Sequence, residues 1–351
     1  MAFTLGIEEE LLLVDRRTHA LSHSSHELLG AMSLDTELAR HDLYEAQVEL
    51  SSSICADATE ATAEIARLRR AMLDAGGTPV GAGIHPAAAI GDVRITQQER
   101  YIKAAELLGG VVHRTPDCAL HVHVGMPDPD TAVRACNGLR EHLPLLHALA
   151  ANSPYWHGQD ARLASARFVL RRGFPRVEVP RAFADFEDFW RAIAPMLAAA
   201  ELEDYTSLWW DVRPHPKLGT AEVRVMDAQS SLESIAALAA LVHGLAIHEA
   251  QSDRSEWLDR EPIEEAVFSA TSKGLAARLP GHDGRLGTVP DVAREAVELA
   301  RRYVPDAAPL EGIERILAGG GGADRQRAAH AEGGMEAVLR LLVRETAGLV
   351  P

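Results

Sequence analysis

The segment that most constrains the fold is residues 3–15, which read FTLGIEEELLLVD. Successive side chains of a β-strand point to opposite faces of its sheet. In a strand, Glu8 and Glu10 share one face, and the other face is lined by Phe3, Leu5, Ile7, Leu11 and Leu13. The alternation therefore predicts a strand that buries its apolar face. Glu9 falls in the apolar row, so we expect it to need a buried basic partner or a break in the alternation.

Two interpretations of this acidic face stay open at the level of the segment itself. Carboxylates two positions apart repel each other, and covering them with protein costs solvation free energy. A hard divalent cation such as magnesium between Glu8 and Glu10 would offset both costs, because it prefers oxygen ligands. An edge strand with a solvated acidic face would account for the same pattern.

Residues 43–50, LYEAQVEL, repeat the pattern. In a strand Glu45, Gln47 and Glu49 point one way, while the alternate positions are aromatic or aliphatic. A helix would also bring Glu45 and Glu49 together, one turn apart. The three serines at 51–53 favour a strand that ends there.

Residues 118–125, CALHVHVG, place His121 and His123 on one strand face. The alternate leucine and valines would fill the buried face. Two imidazoles at this spacing suit a metal or phosphate site. The alternative is a pair of hydrogen-bonded core histidines.

Residues 207–213 and 220–227 alternate again and are separated by the turn PHPKLG, so we expect them to pair as a hairpin. Glu222 and Arg224 share one face of the second strand. A carboxylate beside a guanidinium is either a structural ion pair or a metal ligand next to a phosphate-binding arginine.

The stretch 152–181 is predicted to be irregular, and it gathers arginines, serines and aromatic residues. Ser165, Arg167 and Arg176 are its most prominent polar positions. Loops of this composition beside a sheet often hold anionic substrates. The alternative is a surface loop with solvated arginines.

Helices are predicted between the strands, at residues 57–74, 96–108, 131–150 and 186–201. The first has an apolar stripe of Ile65, Leu68 and Met72. From about residue 230 the chain is predicted to be mostly helical, with a flexible hinge at glycines 319–322 before a last helix at about 328–346. No shift in composition marks a domain boundary, so we expect one domain spanning residues 1–351.

Together these segments predict an α+β fold, with a mainly antiparallel sheet that has helices on one face and an open second face. The floor of the open face would consist of Glu8, Glu10, Glu49, His121, His123, Glu222 and Arg224. Carboxylates with flanking arginines suit metal-bridged nucleotide phosphates, because the metal draws charge from the phosphates and the arginines stabilise the transferring group. The sequence has no P-loop or GxGxxG pattern, so a glycine-rich loop is not predicted to hold them.

Composition limits the partners and the compartment. The net charge of −16 over 351 residues argues against a nucleic-acid partner. The three cysteines have no CxxC spacing, which indicates a reducing compartment. We find no basic-then-apolar leader and no apolar run of membrane-spanning length, so we expect a cytoplasmic protein with no membrane partner.

Several motifs carry a family resemblance: GIEEEL at 6–11, QVE at 47–49, LHVHVG at 120–125, NSPYW at 152–156, and DVRPHP at 211–216 through GTAEVR at 219–224. They resemble the type 2 glutamate–cysteine ligase family, in particular its carboxylate–amine ligase branch. The resemblance extends from the N-terminus to about residue 250, and more faintly to Arg325 and Gln326. The catalytic fold of this family is similar to that of glutamine synthetase, with which it shares the Gly-x-Glu-x-Glu, His-x-His and Glu-x-Arg motifs.

The resemblance implies a single catalytic domain that acts as an ATP-dependent ligase. The carboxylate of an acid substrate attacks the γ-phosphate of ATP, and an amine then displaces phosphate to form a γ-glutamyl-type amide. The implied magnesium ligands are Glu8, Glu10, Glu49, His121 and Glu222. The implied nucleotide or phosphoryl contacts are His123, Arg213 and Arg224, and Glu222 joins the two arginines as catalytic residues. The implied substrate-binding residues are Ser165, Arg167 and Arg176. The resemblance also implies that the substrates are an amino acid and an amine, and that the protein forms a homodimer.

Two segments depart from the family pattern. After Pro175-Arg176 the family usually has Ser-Gly, and this chain has Val177-Glu178. Near residues 265–275 the family usually carries an asparagine and several arginines in a helix that ends at glycine. Here residues 265–274 read EAVFSATSKG.

Two other function classes therefore remain as alternatives. One is a metal-dependent hydrolase that uses the His-x-His pair with zinc, although zinc prefers more nitrogen and sulfur ligands than this floor offers. The other is a non-catalytic relative that binds ATP. The sequence identifies neither the acid nor the amine.

Overall fold

The computed structural model describes residues 3–281 and 284–348. Its strands are β1 (Leu5–Leu13), β2 (Ala39–His41), β3 (Gln47–Ser51), β4 (Pro79–Val80), β5 (Ala119–Gly125), β6 (Tyr155–Trp156), β7 (Gln159–Asp160), β8 (Val212–His215), β9 (Thr220–Asp227), β10 (Arg278–Pro280) and β11 (Leu286–Thr288). Its α-helices are α1 (Ser25–Met32), α2 (Ala58–Asp74), α3 (Glu99–Leu108), α4 (Pro129–Ala150), α5 (Ala166–Arg171), α6 (Phe186–Ala199), α7 (Leu232–Gln251), α8 (Arg260–Lys273), α9 (Val289–Ala300), α10 (Glu311–Gly319) and α11 (Gly322–Thr346).

The main sheet has seven strands in the order β2-β3-β1-β5-β9-β8, and β4 also pairs with β1. All of these pairs are antiparallel. The predicted α+β fold with a mainly antiparallel sheet is therefore confirmed. The register places Glu10 opposite Glu49, Glu8 opposite His121, and His123 opposite Glu222.

The helices bury one face of this sheet, as the alternation predicts. The apolar side chains Leu5, Ile7, Leu11 and Leu13 of β1 join the largest buried cluster. The predicted stripe of α2 lies in the same cluster, and Ile65, Leu68 and Met72 are each fully buried. The polar side chains of the strands are thereby left on the opposite face.

Helix α7 is the central helix of this core. Among the described helices it is the one long and apolar enough to cross a membrane, but 78% of its most apolar 18-residue stretch is buried in the fold. It packs against α2, α4 and α9, which surround it with apolar side chains. Its composition is explained by this burial on all sides.

Glu9 has the buried basic partner that its position in the apolar row requires. Arg69 of α2 donates to both carboxylate oxygens, with Nε–Oε1 at 2.9 Å and Nη2–Oε2 at 2.6 Å. The same guanidinium donates to the carbonyls of Gln229 and Ser230, each at 2.7 Å. Both side chains are almost fully buried, so this pair joins β1, α2 and the segment before α7 in the interior.

The hairpin is confirmed, but its first strand begins later than the alternation predicts. The ladder starts at Val212, and residues 205–207 form a 3₁₀ turn instead of a strand. The cause lies in Arg213, whose Nη1 donates to the carbonyls of Thr206 at 2.9 Å and Leu208 at 2.8 Å. The preceding backbone turns around this guanidinium and cannot extend the ladder.

The C-terminal helix also differs from its prediction. It begins at Gly322 and is interrupted at Gly333 and Gly334, where the backbone is not helical. The expected hinge is anchored on its C-terminal side, because the Ala323 amide donates to the Ala151 carbonyl at 2.9 Å. Gln326 adds hydrogen bonds from Nε2 to Asn152 at 2.8 and 2.9 Å.

Candidate active site

A cavity of about 350 Å³ opens on the polar face of the main sheet. All seven side chains of the expected floor line it, namely Glu8, Glu10, Glu49, His121, His123, Glu222 and Arg224. They come from four adjacent strands, β3, β1, β5 and β9, because each strand presents every second residue to the same side. The ladder registers then place these residues side by side.

Glu8, His121 and Glu222 form the tightest cluster of metal-ligand types among the described residues. Each offers one ligand atom, and these atoms lie within 4.8 Å of one another. Both ring nitrogens of His121 are buried without a hydrogen-bond partner in the described structure. Its Nε2 lies 3.8 Å from Glu10 Oε1, and its Nδ1 lies 3.5 Å from Glu8 Oε2. A buried imidazole that makes no hydrogen bond and is surrounded by carboxylates has the position expected of a metal ligand.

The carboxylates of the floor differ in charge state. Burial and the neighbouring Asp42 raise the pKa of Glu10 to about 8. Burial and Glu8 raise the pKa of Glu49 well above its usual value. Burial also opposes ionisation of Glu8, but His123 and His121 hold the pKa of Glu8 well below its usual value. Crowded carboxylates of this kind are stabilised by a cation, and a set of oxygens with one imidazole fits a hard divalent ion.

Arg40 lies against two of these carboxylates. Its Nη2 donates to Glu8 Oε1 at 3.1 Å and also to Glu49, which faces Arg40 across the β2–β3 ladder. Sequence reasoning missed Arg40 because β2 has three residues, too few for an alternating pattern. Only the pairing of β2 with β3 brings it to the cavity.

Glu222 binds two arginines as well as contributing to the metal-ligand cluster. Arg213 Nε donates to Glu222 Oε2 at 2.6 Å, and Arg224 Nη1 donates to Glu222 Oε1. Burial opposes ionisation of Glu222, but these two guanidinium groups hold its pKa well below the usual value. The Glu-x-Arg pattern can be interpreted either as an ion pair or as a metal ligand. Glu222 has the position for both, because it pairs with arginines and lies in the metal-ligand cluster. Arg224 Nε is buried without a partner in the described structure.

The two histidines of β5 have different chemistry. Burial and Arg224 lower the pKa of His121 to about 3, so its imidazole is neutral. Burial also opposes protonation of His123, but Glu222 and Glu8 raise its pKa above the usual value. His123 Nδ1 lies 3.0 Å from the Thr220 hydroxyl. Its buried Nε2 has no hydrogen-bond partner among the described residues and lies 3.6 Å from Glu8 Oε2 and 3.8 Å from Glu222 Oε1. His121 therefore suits a metal, and His123 suits an anionic group.

The three predicted substrate-binding residues do not line the cavity. Ser165 is fully buried, caps α5, and donates to Asp227 Oδ1 at 2.9 Å. Arg167 is 1% exposed and lies between two carboxylates, 3.5 Å from Asp227 Oδ1 and 3.6 Å from Asp117 Oδ2. Arg176 donates to the Ser207 carbonyl at 3.1 Å and lies over the Trp209 ring. Buried Asp227 is what draws Ser165 and Arg167 into the interior.

Further charged and aromatic residues that were not predicted as site residues also line the cavity, among them Asp42, Arg100, Tyr101, Asp117, Arg171, Trp209 and His215. Burial lowers the pKa of His215 to about 4, and its ring lies 5.7 Å from that of His123. His215 lies in the DVRPHP motif at 211–216, and that motif was the signal by which it could have been predicted. Arg171 had a signal too, because it follows Arg167 by one helical turn.

The loop that carries the first departure from the family pattern packs against the first turns of α8, the helix that carries the second. Glu178 accepts from Arg260 Nη1 at 2.7 Å, and Glu264 Oε1 accepts from the Val179 amide at 2.9 Å. Glu264 also accepts from Arg172 Nη2 at 2.9 Å. No residue of α8 lines the cavity. The loop at residues 178–179 and the first turns of α8 therefore form one contact region outside the cavity.

Comparison with known proteins identifies the family of this chain. Residues 4–341 match the model of glutamate-cysteine ligase family 2. A Rubrobacter xylanophilus protein provisionally named glutamate–cysteine ligase 2-3 is 40% identical over 363 residues, which cover 98% of this chain and 97% of that protein. The glutamate–cysteine ligase of Haloferax volcanii is 32% identical over 351 residues, which cover 97% of this chain and 96% of that protein.

Solved structures share the fold. The glutamate–cysteine ligase of Francisella tularensis in complex with AMP gives a TM-score of 0.76 at 14% identity, and the match covers 99% of this chain and 89% of that one. The bifunctional glutathione synthetase of Pasteurella multocida gives 0.70 at 15% identity, covering 99% of this chain and 52% of that one. These structures confirm the predicted fold, and the sequence matches show the family. The chain belongs to glutamate-cysteine ligase family 2.

Proposed function

We propose that this protein is an ATP-dependent carboxylate–amine ligase that forms a γ-glutamyl-type amide. A carboxylate oxygen of the acid attacks the γ-phosphorus of ATP, and the bond to ADP breaks. The amine nitrogen then attacks the acyl carbon, phosphate leaves with the C–O bonding electrons, and the nitrogen loses a proton. The observation that carries the proposal is the Glu8, His121 and Glu222 cluster, with two arginines bound to Glu222 in the same cavity.

Glu8, Glu10, Glu49, His121 and Glu222 would hold Mg²⁺, for which their donor atoms fit. The ion would neutralise charge on the nucleotide phosphates and on the transferring group. The protein's own part is to keep several carboxylates close together. Arg40, Arg213 and Arg224 carry compensating charge for that purpose.

Of the three residues expected to contact the nucleotide or the transferring phosphoryl group, His123 and Arg224 would do so, whereas Arg213 already donates within the protein. Arg224 Nε and His123 Nε2 are buried and make no hydrogen bond among the described residues, so they are available donors for phosphate oxygens. Arg213 is held by Glu222 and by backbone carbonyls, so we assign it the task of fixing Glu222 and the start of β8. Neutral His215 completes this side of the cavity.

Glutamate and cysteine are the first substrates to test, because the relative from Haloferax volcanii carries the name glutamate–cysteine ligase. The hydrolase alternative has no supporting observation. The tight cluster contains two carboxylates and one histidine, and His123 is not part of it. A set of this kind is poorer in nitrogen than zinc prefers.

We also infer a cytoplasmic protein that acts as a homodimer with one catalytic domain. All three cysteines are free and buried, which suits a reducing compartment. The homodimer rests on the family resemblance. Light scattering on the purified protein at micromolar concentration measures the oligomeric state directly.

The decisive experiment measures ADP release with ATP and Mg²⁺ against a matrix of amino-acid acids and amines that includes glutamate with cysteine. We expect release that depends on both members of one pair, with formation of the matching amide. Glu8→Gln and Glu222→Gln should each abolish it. Glu336→Gln is the matched control, because this glutamate is exposed on α11 and contacts only Arg340 there.

Two outcomes would contradict the proposal. Tight binding of ATP without turnover against any pair would favour the non-catalytic relative. Full activity in both Glu8→Gln and Glu222→Gln would show that these carboxylates are not the metal-binding floor.

A further inference from the structure

Arg171 is the last residue of α5 and reaches the cavity that Arg167 does not. Its Nη1 donates to Asp117 Oδ2 at 2.7 Å, and 13% of its side chain is exposed. Among residues 3–281 and 284–348 this is the only hydrogen-bond partner of the Arg171 guanidinium. Its Nε and Nη2 therefore remain free to donate within the cavity.

A line of alternating charges holds Arg171 in place from the interior. Asp117 lies between Arg171 and Arg167, and Arg167 in turn lies 3.5 Å from Asp227. Asp227 is fully buried, and its oxygens accept from the Asn152 amide at 2.9 Å and the Ser153 hydroxyl at 2.7 Å. These donors fix Asp227, so the line has a rigid inner end.

The charges at this end of the cavity suit a zwitterion. Arg171 uses one of its nitrogens to bind Asp117, so its remaining donors can hold a further anion in the cavity. Asp42 lines the same cavity and offers its carboxylate to a cationic group. An α-amino acid carries an ammonium group beside its carboxylate, so each of its charges meets an opposite charge here.

We propose that Arg171 holds the non-reacting carboxylate of an amino-acid substrate, and that Asp117, Arg167 and Asp227 position it. This inference rests on the proposed function and names a residue that selects its substrates. The carboxylate can belong to the acid substrate or to the amine substrate, and the experiment distinguishes the two.

The test combines a change in the enzyme with a change in the substrate, as in a double-mutant cycle: each enzyme variant is assayed with the intact substrate and with the substrate that lacks its α-carboxylate. For glutamate and cysteine, the forms without the α-carboxylate are 4-aminobutyrate and cysteamine, and any other active pair is treated in the same way. The quantity measured is the ratio of kcat/KM for each substrate to kcat/KM for its decarboxylated form. We compare this ratio between the wild type and Arg171→Met.

We expect Arg171→Met to lower the ratio by about 10- to 100-fold for one substrate and to leave it unchanged for the other, as expected for loss of a charge-assisted hydrogen bond. Arg171→Lys should restore part of the ratio. The matched control is Arg172→Met, because Arg172 binds Asp211 and Glu264 outside the cavity. That variant can lose stability, but it should leave both ratios unchanged.

The inference is overturned if Arg171→Met lowers kcat/KM equally for the intact and decarboxylated forms of both substrates. In that case turnover by the wild type still supports the ligase, and Arg171 has only a structural role. Asp227→Asn provides a second check on the positioning residues. It should reduce the same ratio as Arg171→Met, by a smaller factor, and leave the KM for ATP unchanged.

Discussion

Arg213 and Glu222 stand directly opposite each other in the β8–β9 ladder, and Arg213 Nε donates to Glu222 Oε2 at 2.6 Å. The same guanidinium donates through its Nη1 to the backbone carbonyls of Tyr205, Thr206 and Leu208. One side chain thus fixes the carboxylate of the metal-ligand cluster and the turn that enters β8. This double task needs the fork of donors that arginine has and lysine lacks.

Arg213→Lys should therefore lower both activity and stability, although the charge is kept. A lysine ammonium cannot reach Glu222 and the carbonyls together, so we expect kcat to fall about 10- to 100-fold. The free energy of unfolding should fall by about 1–3 kcal/mol. Steady-state kinetics and urea denaturation measure the two effects. Wild-type values for both would show that Arg213 is not the organising residue.

Arg69→Met should destabilise the fold strongly, because it leaves Glu9 charged and buried without its partner. Breaking a buried ion pair from one side costs about 3–5 kcal/mol. The double variant Glu9→Leu with Arg69→Met should recover part of that loss, since neither charge is then buried alone. Urea denaturation of both variants checks this. A double variant no more stable than Arg69→Met would mean that the lost carbonyl contacts of Arg69, and not the unpaired Glu9, account for the destabilisation.

We expect buried Glu249 to contribute to the stability of the fold in a way that depends on pH and is lost in acid. It is fully buried on α7, and His142 of α4 lies 2.9 Å from its Oε1. Burial opposes ionisation, but the His142 hydrogen bond lowers the pKa of Glu249 below its usual value. The ionised form is thus favoured in the folded state. The stabilisation is present above the unfolded-state pKa of about 4.3 and is lost as the pH falls through the folded-state pKa.

The measurement is urea denaturation of the wild type and Glu249→Gln between pH 7 and pH 3. The wild type should be more stable at pH 7, and the difference should shrink as the pH drops below about 4. Glu336→Gln serves as the exposed control and should show no such trend. A difference that stays constant with pH would assign the effect to packing and not to charge.

Gly81 and Gly30 form a matched pair for a packing test. A Cβ at Gly81 would overlap the backbone carbonyl of Gln229, whereas one at Gly30 of α1 would meet no atom within 4 Å. Gly81→Ala should therefore destabilise the protein by about 2 kcal/mol or more, because backbone atoms must move. Gly30→Ala should raise stability by up to about 1 kcal/mol, the gain for alanine in a helix. Equal changes in melting temperature would contradict the close approach of β4 to the segment before α7.

The departures from the family pattern take on a structural meaning here. Neither departure could be interpreted alone, because one lies in a loop and the other in a helix more than eighty residues later. Glu178 with Arg260, and Glu264 with the Val179 amide, show that the loop carrying the first departure packs against the first turns of the helix carrying the second. A replacement on one side therefore changes the surroundings of the other.

Local pattern was sufficient for the strands that carry the floor of the cavity, β1, β3, β5 and β9. Alternation with a period of two depends only on backbone geometry, so Glu8 with Glu10 and His121 with His123 could be assigned to one face from the chain alone. The same reasoning identified Glu9 as the exception that needs a buried partner. The apolar stripe of α2 was equally readable, because helical spacing is also local.

Tertiary structure alone decided which long side chains reach the cavity. Arg40 enters it because β2 pairs with β3, and Arg171 enters it while Arg167 turns inward toward buried Asp227. A flexible arginine can reach several places from one backbone position, and the nearest unpaired carboxylate determines which one is occupied. Such carboxylates come from segments far away in the chain. The sequence by itself thus determined the sheet and its carboxylate floor, whereas the arginines around that floor were selected by packing and charge pairing in the folded protein.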